Sequence, residues 1–222
     1  MLHTNHHPVV LLASASPRRS ELLKQIHVKH QIIQVPSGPG DDEPRLDGEP
    51  PLDYVLRTAK DKAERAIQWI NTMDAKEQFL SANNTSDIVH STPLTPSTPI
   101  ILTADTTVCI GDRILGKPED HDDAREILKT LSAKTHLVHT AVVVTREHHQ
   151  WSAISTTEVT FDLLSDTVIE SYIRTGEPFG KAGAYGIQGQ AATFIKHING
   201  SYSGVMGLPL YETAQLLRQA LA

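Results

Sequence analysis

"VVLLASASPRRSELLKQI", residues 9–26, joins an apolar run to an amphipathic one through a few small residues. Val9 to Leu12 are β-branched or aliphatic, as in a short buried strand. Ser16 suits a helix N-cap and Pro17 the first helical position, so "RRSELLKQI" continues as helix. The oddity is Arg18 and Arg19 on the opening turn, where the helix dipole disfavours cations. Two explanations stand side by side. Either acids such as Glu21 offset the arginines, or the turn holds an anion between free N–H groups, the Ser14 and Ser16 hydroxyls and two forked guanidinium groups.

After this unit "HQIIQV" is a second short strand ending at Pro36, and residues 36–51 are an acidic loop dense in proline and glycine. From Leu52 to Ile70, Val55, Ala59, Ala63, Ala66, Ile67 and Ile70 recur at helical spacing. Residues 71–99 turn polar and proline-rich, an exposed loop or insertion with room for a short helix near "DAKEQFL". "IILTADTTVCI", the turn "GD" and "RIL" read as a hairpin. "DDAREILKTL" is an amphipathic helix, and "THLVHTAVVV" pairs with "STTEVTFDLL" across "EHHQ". "SDTVIESYIRTG" is a helix with Ser165 as N-cap and Gly176 beyond its end. A glycine-spaced loop, a strand "AATFIKHI", a loop through Pro209 and a closing helix "YETAQLLRQAL" complete the chain. Interleaved helices and hairpins predict an α/β fold with a mixed sheet flanked by helices.

With 222 residues, 39% of them apolar, the chain can bury a sizeable core, as one domain of two lobes or two small domains. A net charge of −6 argues against a broad nucleic-acid face but allows a local cationic pocket for a small anion. The single cysteine, Cys109, excludes an internal disulfide framework, and neither a secretory signal nor an 18-residue apolar span is visible. The expectation is a soluble cytoplasmic protein with no membrane or nucleic-acid partner.

Four further features can carry chemistry. Lys62 falls on the apolar stripe of its helix, so it either snorkels at the core edge or projects into a cleft. Asp105 sits in an apolar strand and needs a partner, a metal or a task; Lys117 returns towards it across the hairpin. Glu43, with Asp41 and Asp42, could hold Mg²⁺ together with phosphate oxygens, or be simply solvated. "GKAGAYGIQG", residues 180–189, lets backbone approach a ligand beside Lys181, Tyr185 and Gln188, or is an irregular connection. The histidines are scattered, with no HExxH, Cys/His or GxSxG pattern, which disfavours zinc and covalent catalysis.

Taken together, "LLASASPRRSELL", "DDE" with "GEPP", "YVLRTAKDKA", "ILTADTTVCIGDRILGKPED", "DAREILKTLSAKTHLVHTAV", "GKAGAYGIQG" and "INGSYSGVMGLPLYET" resemble the Maf family of nucleoside triphosphate pyrophosphatases. The match runs in order along nearly the whole chain. The resemblance implies a single Maf-like domain over residues 1–222, with two lobes, a central cleft and an elongated mixed sheet similar to that of inosine triphosphate pyrophosphatases. It implies hydrolysis of a nucleoside triphosphate to monophosphate and pyrophosphate with a divalent cation, Mg²⁺ or Mn²⁺, in nucleotide pool sanitation. It makes Asp105 the general base, Ser14, Arg18, Arg19, Lys62 and Lys117 the phosphate shell, and Glu43 an acidic or metal-associated residue, with Asp105 a second candidate metal ligand. Arg18, Thr106 and Gln188 fall where the family tunes substrate choice.

"KAGAYGIQG" and "GSYSGVMGLPL" resemble the dTTP/UTP branch rather than the 7-methyl-GTP branch. A glutamine amide can pair with the O4 and N3–H edge that thymine and uracil share. The alternatives are a pyrophosphatase for another nucleotide, or a nucleotide-binding regulator of septum formation with little catalysis. A homodimer is compatible with all of these. The chain departs from the family pattern in its long 71–99 segment, in "SGPG" before "DDE", and in Ala133 of "LSAKTH".

Overall fold

The computed structural model describes residues 8–36, 44–72 and 98–222. Its strands are β1 (Val10–Ala13), β2 (His30–Ile33), β3 (Ile100–Ile110), β4 (Arg113–Leu115), β5 (Thr135–Arg146), β6 (His149–Phe161) and β7 (Ile195–Asn199). Its helices are α1 (Pro17–Gln25), α2 (Pro51–Ile70), α3 (His121–Leu131), α4 (Asp166–Ile173), α5 (Tyr202–Met206) and α6 (Leu210–Leu221). The seven strands among the described residues join one sheet in the order β2-β1-β3-β5-β6-β7, with β4 on β3. β1 runs parallel to β2 and β3, and every other pairing is antiparallel. The sheet is mixed, as the interleaved helices and hairpins predict.

β3 organises the molecule, because alternate side chains leave it on opposite faces. On one face Leu102 and Ala104 join a core with Leu22, Leu23, Leu216 and Leu217 from α1 and α6. Further along the same face Val108 joins a second core with Leu128, Phe161, Ile169 and Tyr185. Thr106 falls between the two, where neither core claims it. On the opposite face α2 lies across β3 and β5, with Val55, Ala59 and Ala63 against Ala141 and Val143. The alanines bring the helix close enough for the buried Thr103 hydroxyl to donate to the Ala59 carbonyl at 2.9 Å.

Three local expectations change. Residues 191–198 are not one strand: Gln190–Thr193 form a 3₁₀ turn and only Ile195–Asn199 pairs with β6. The N–H groups of Gln190 and Ala191 are taken by the Glu177 carboxylate, which leaves them unavailable to a ladder. The β5–β6 hairpin closes more tightly than "EHHQ" suggests, with Arg146 opposite His149 and Glu147 at φ 56°. The stretch before Pro209 contains the short helix α5, capped by Ser201 Oγ accepting from Gly204 N at 3.0 Å. The helix expected near "DAKEQFL" and most of the 71–99 segment lie outside the described residues.

Candidate active site

The turn between β1 and α1 is organised by Ser14 rather than by the Ser16 side chain. Ser14 Oγ accepts from Ser16 N at 3.2 Å and from Arg19 Nη1 at 3.0 Å, while Ser16, at the N-cap position, makes no capping bond. Arg19 Nε donates to the Gly207 carbonyl at 2.8 Å, tying α1 to the segment between α5 and α6. Gly207 sits at φ 112°, a left-handed conformation that turns its carbonyl towards Arg19 and suits glycine. Arg18 makes no such bond among the described residues.

Across the cleft, Asp105 is half-buried on β3 and faces α2. Its Oδ2 accepts from Thr58 Oγ1 at 2.8 Å, and Oδ1 is held by Lys62 Nζ. Thr58 and Lys62 are one helical turn apart, so α2 presents both donors on one face. Each oxygen of the carboxylate is therefore fixed by its own donor. Lys62 projects into the cleft rather than snorkelling to solvent, and its ammonium pairs directly with Asp105.

The cleft has a volume of about 850 Å³ and is lined by residues on both sides of β3. Ser14, Arg18, Arg19, Lys62, Asp105, Thr106, Lys117, Lys181 and Gln188 all line it, so nearly every residue singled out in the sequence converges there. Glu43 lies outside the described residues. Asp105 is the only acidic side chain lining the cleft among the described residues, against three lysines and three arginines. Desolvation pulls the Arg19 pKa down, the field of Asp105 opposes that, and the neighbouring Arg18 adds to it. Burial likewise lowers Lys181, again with Arg18 contributing and Glu177 opposing. Cations that oppose one another's charge are an arrangement waiting for an anion.

Thr106 has a defined polarity. Thr140 Oγ1 donates its one proton to the Gly204 carbonyl at 2.8 Å. The 3.0 Å contact between Thr106 and Thr140 must then be a donation by Thr106. The Thr106 oxygen keeps its remaining lone pairs for a donor in the cleft.

The 180–189 loop is ordered by dense backbone contacts. Gly183, at φ 71°, packs so tightly on Val108 that an added Cβ would sit 2.9 Å from its side chain. Lys181 Nζ donates to the Glu177 carbonyl, while Gln188 is exposed and makes no hydrogen bond among the described residues. Sequence reasoning missed Thr58 and Glu177. Thr58 was legible as the residue four before Lys62 on the same helical face; Glu177 gives no local signal, because its partners lie at residues 172, 190 and 191.

Among the described residues, no group of three or more His, Cys, Asp or Glu side chains gathers to hold a metal ion. No described helix is long and apolar enough to cross a membrane.

A family model described as Maf-like protein matches residues 9–220. The chain is 50% identical over 216 residues to a dTTP/UTP pyrophosphatase of Bordetella avium (strain 197N), covering 97% of each. It is 47% identical over 218 residues to a dTTP/UTP pyrophosphatase of Ralstonia nicotianae, covering 96% of this chain and 95% of that protein. A dTTP/UTP pyrophosphatase of Xanthomonas oryzae pv. oryzae is 44% identical over 212 residues, covering 94% of this chain and 97% of that protein. By the span of that family match and the likeness of these relatives, the chain belongs to the Maf-like protein family.

Proposed function

We propose that this chain hydrolyses nucleoside triphosphates, dTTP and UTP among them, to the monophosphate and pyrophosphate. The observation that carries this reading is one carboxylate, Asp105, held by two donors and set in a cleft whose other charged lining residues, among those described, are all cations. The relatives named dTTP/UTP pyrophosphatase support both the reaction and the bases.

Arg18, Arg19 and Lys181 bind the triphosphate, and the open N-terminus of α1 adds backbone donors to the same anion. Bound phosphate offsets the mutual repulsion of these cations and the dipole's unfavourable action on the arginines. Asp105, its carboxylate oriented by Thr58 and Lys62, accepts the proton of a water that breaks the α–β anhydride. Lys62 also lies where it can share its charge between Asp105 and the phosphates. Lys117 contributes to the same positive wall. Cleavage of this kind depends on positioning and charge neutralisation rather than on a covalent nucleophile.

A divalent cation fits this site only as a companion of the substrate. Mg²⁺ typically takes one or two protein carboxylates and fills its shell with phosphate oxygens and water. Asp105 supplies one carboxylate, with a lone pair on each oxygen beyond those given to Thr58 and Lys62; Glu43 is the candidate for a second. When bound, such a cation neutralises charge on the phosphates.

Gln188 reads the O4 and N3–H edge of the base, and the acceptor-only Thr106 takes a ligand donor. Product analysis tests the reading. UTP should yield UMP and pyrophosphate in equal amounts; UDP and phosphate would refute the proposed bond, and tight binding without turnover would favour a regulatory binder.

A further inference from the structure

The Glu177 carboxylate lies outside the cleft yet holds the segment that enters it. One oxygen accepts from Tyr172 O–H at 2.9 Å and from Ala191 N at 3.4 Å, and the other from Gln190 N at 2.8 Å. Tyr172 in turn accepts from Gly186 N at 3.3 Å. The main-chain carbonyl of Glu177 receives Lys181 Nζ. The carboxylate also rests directly on Gly189, where an added Cβ would meet its oxygens at 2.3 and 2.4 Å. Glu177 thus holds the chain on both sides of Gln188, through Tyr172 at Gly186 and directly at Gln190 and Ala191, while Gln188 makes no hydrogen bond among the described residues and lines the cleft.

We propose that Glu177 is a positioning residue that fixes the reach of Gln188 and so selects the size of the base. The proposal rests on the reading of Gln188 as the base contact. An unbonded amide can rotate to offer either its oxygen or its nitrogen, so its chemistry alone separates bases poorly. Its position is another matter. Uracil (O4, N3–H) and hypoxanthine (O6, N1–H) show the same acceptor–donor pair, but the larger purine carries that edge further from the sugar. A Gln188 held at fixed reach accepts the first and crowds the second. A loosened loop accepts both.

Two substitutions loosen the loop from opposite sides. Glu177→Gln leaves one acceptor oxygen where two are used, so either the Tyr172 hydroxyl or a backbone N–H loses its partner. Gly189→Ala keeps a backbone φ of −106°, open to alanine, but displaces the carboxylate. The experiment measures kcat/KM for UTP and ITP in the wild type, both single variants, the double variant and Gln188→Ala, with a thermal melt of each to confirm folding. Each single variant should narrow the UTP-to-ITP ratio by about three- to tenfold, the scale of one misplaced hydrogen bond. The double variant should narrow it no further, because both changes break the same contact. A wild-type ratio in both single variants, with the ratio narrowed in Gln188→Ala, overturns the role of Glu177. An unchanged ratio in Gln188→Ala overturns the base contact itself and the inference with it.

Discussion

Thr58 on α2 and Asp105 on β3 lie 2.8 Å apart, hydroxyl to carboxylate, with Lys62 one turn further along α2 on the other carboxylate oxygen. The pairing exists because Ala59 and Ala63 let the helix settle closely onto the strand. A larger residue at either position would lift both donors away from the acid.

Removing the Thr58 hydroxyl therefore acts on turnover more than on binding. Thr58→Val should lower kcat by roughly tenfold, the value of a hydrogen bond to a charged group, with KM for UTP nearly unchanged. Thr58→Ser, which keeps the hydroxyl, should restore most of the loss. Steady-state kinetics of the three proteins check this; equal loss in Ser and Val would point to packing instead.

The two arginines of α1 differ in what they do without ligand. Arg19 bonds Gly207 and Ser14, so Arg19→Gln should destabilise the free protein by about 1–2 kcal/mol. Arg18→Gln removes a cation that opposes Arg19 and Lys181, and should leave the free protein as stable or slightly more so. Saturating UTP should raise the melting temperature of the wild type, and less so for each variant. Thermal melts with and without nucleotide test all three statements.

Stability should fall on mild acidification through His136. Its ring lies among Phe161 and Tyr185, and burial lowers its pKa to about 4 from an ordinary 6.5. Above pH 6.5 the imidazole is neutral in both folded and unfolded chains, and its burial adds no pH dependence. Below that the unfolded chain binds the proton first, so stability drops between pH 6.5 and about 4 by up to ~3 kcal/mol. Denaturant titrations across this range should show a shallower decline in His136→Gln.

Gly183→Ala should destabilise by roughly 2 kcal/mol or more, because it combines a left-handed backbone with a Cβ pressed on Val108. The loss should appear in the urea midpoint and be accompanied by weaker nucleotide binding, since Lys181 and Gln188 flank the same loop.

Much of this was legible in the chain before folding. The 3.6-residue stripe of Val55, Ala59, Ala63 and Ala66 placed α2, and the misplaced polarity of Asp105 and Lys62 marked the site, because a charge on an apolar face needs a reason. Ser16 misled: its position is that of an N-cap, but its side chain makes no capping bond, and it is Ser14 that accepts from Ser16 N and Arg19 Nη1. "AATF" reads as strand by composition, yet Glu177, thirteen residues before Gln190, holds the N–H groups of Gln190 and Ala191, and Ala192 and Phe194 bond within the turn. Such captures depend on where a distant side chain lands, which local pattern does not encode. Thr58 shares the helical face of Lys62 and was legible by that spacing, but the carboxylate 47 residues away that competes with its own helix for the hydroxyl proton shows only in three dimensions.

In the proposed reaction Asp105 performs the chemistry while the surrounding cations bind the substrate. The direct test is pyrophosphate release from UTP by Asp105→Asn, with UTP binding measured on the same protein. Turnover should fall by a factor of about a hundred or more, the scale of a lost general base, while UTP still binds and raises the melting temperature. Pyrophosphate release at the wild-type rate in Asp105→Asn would contradict the account.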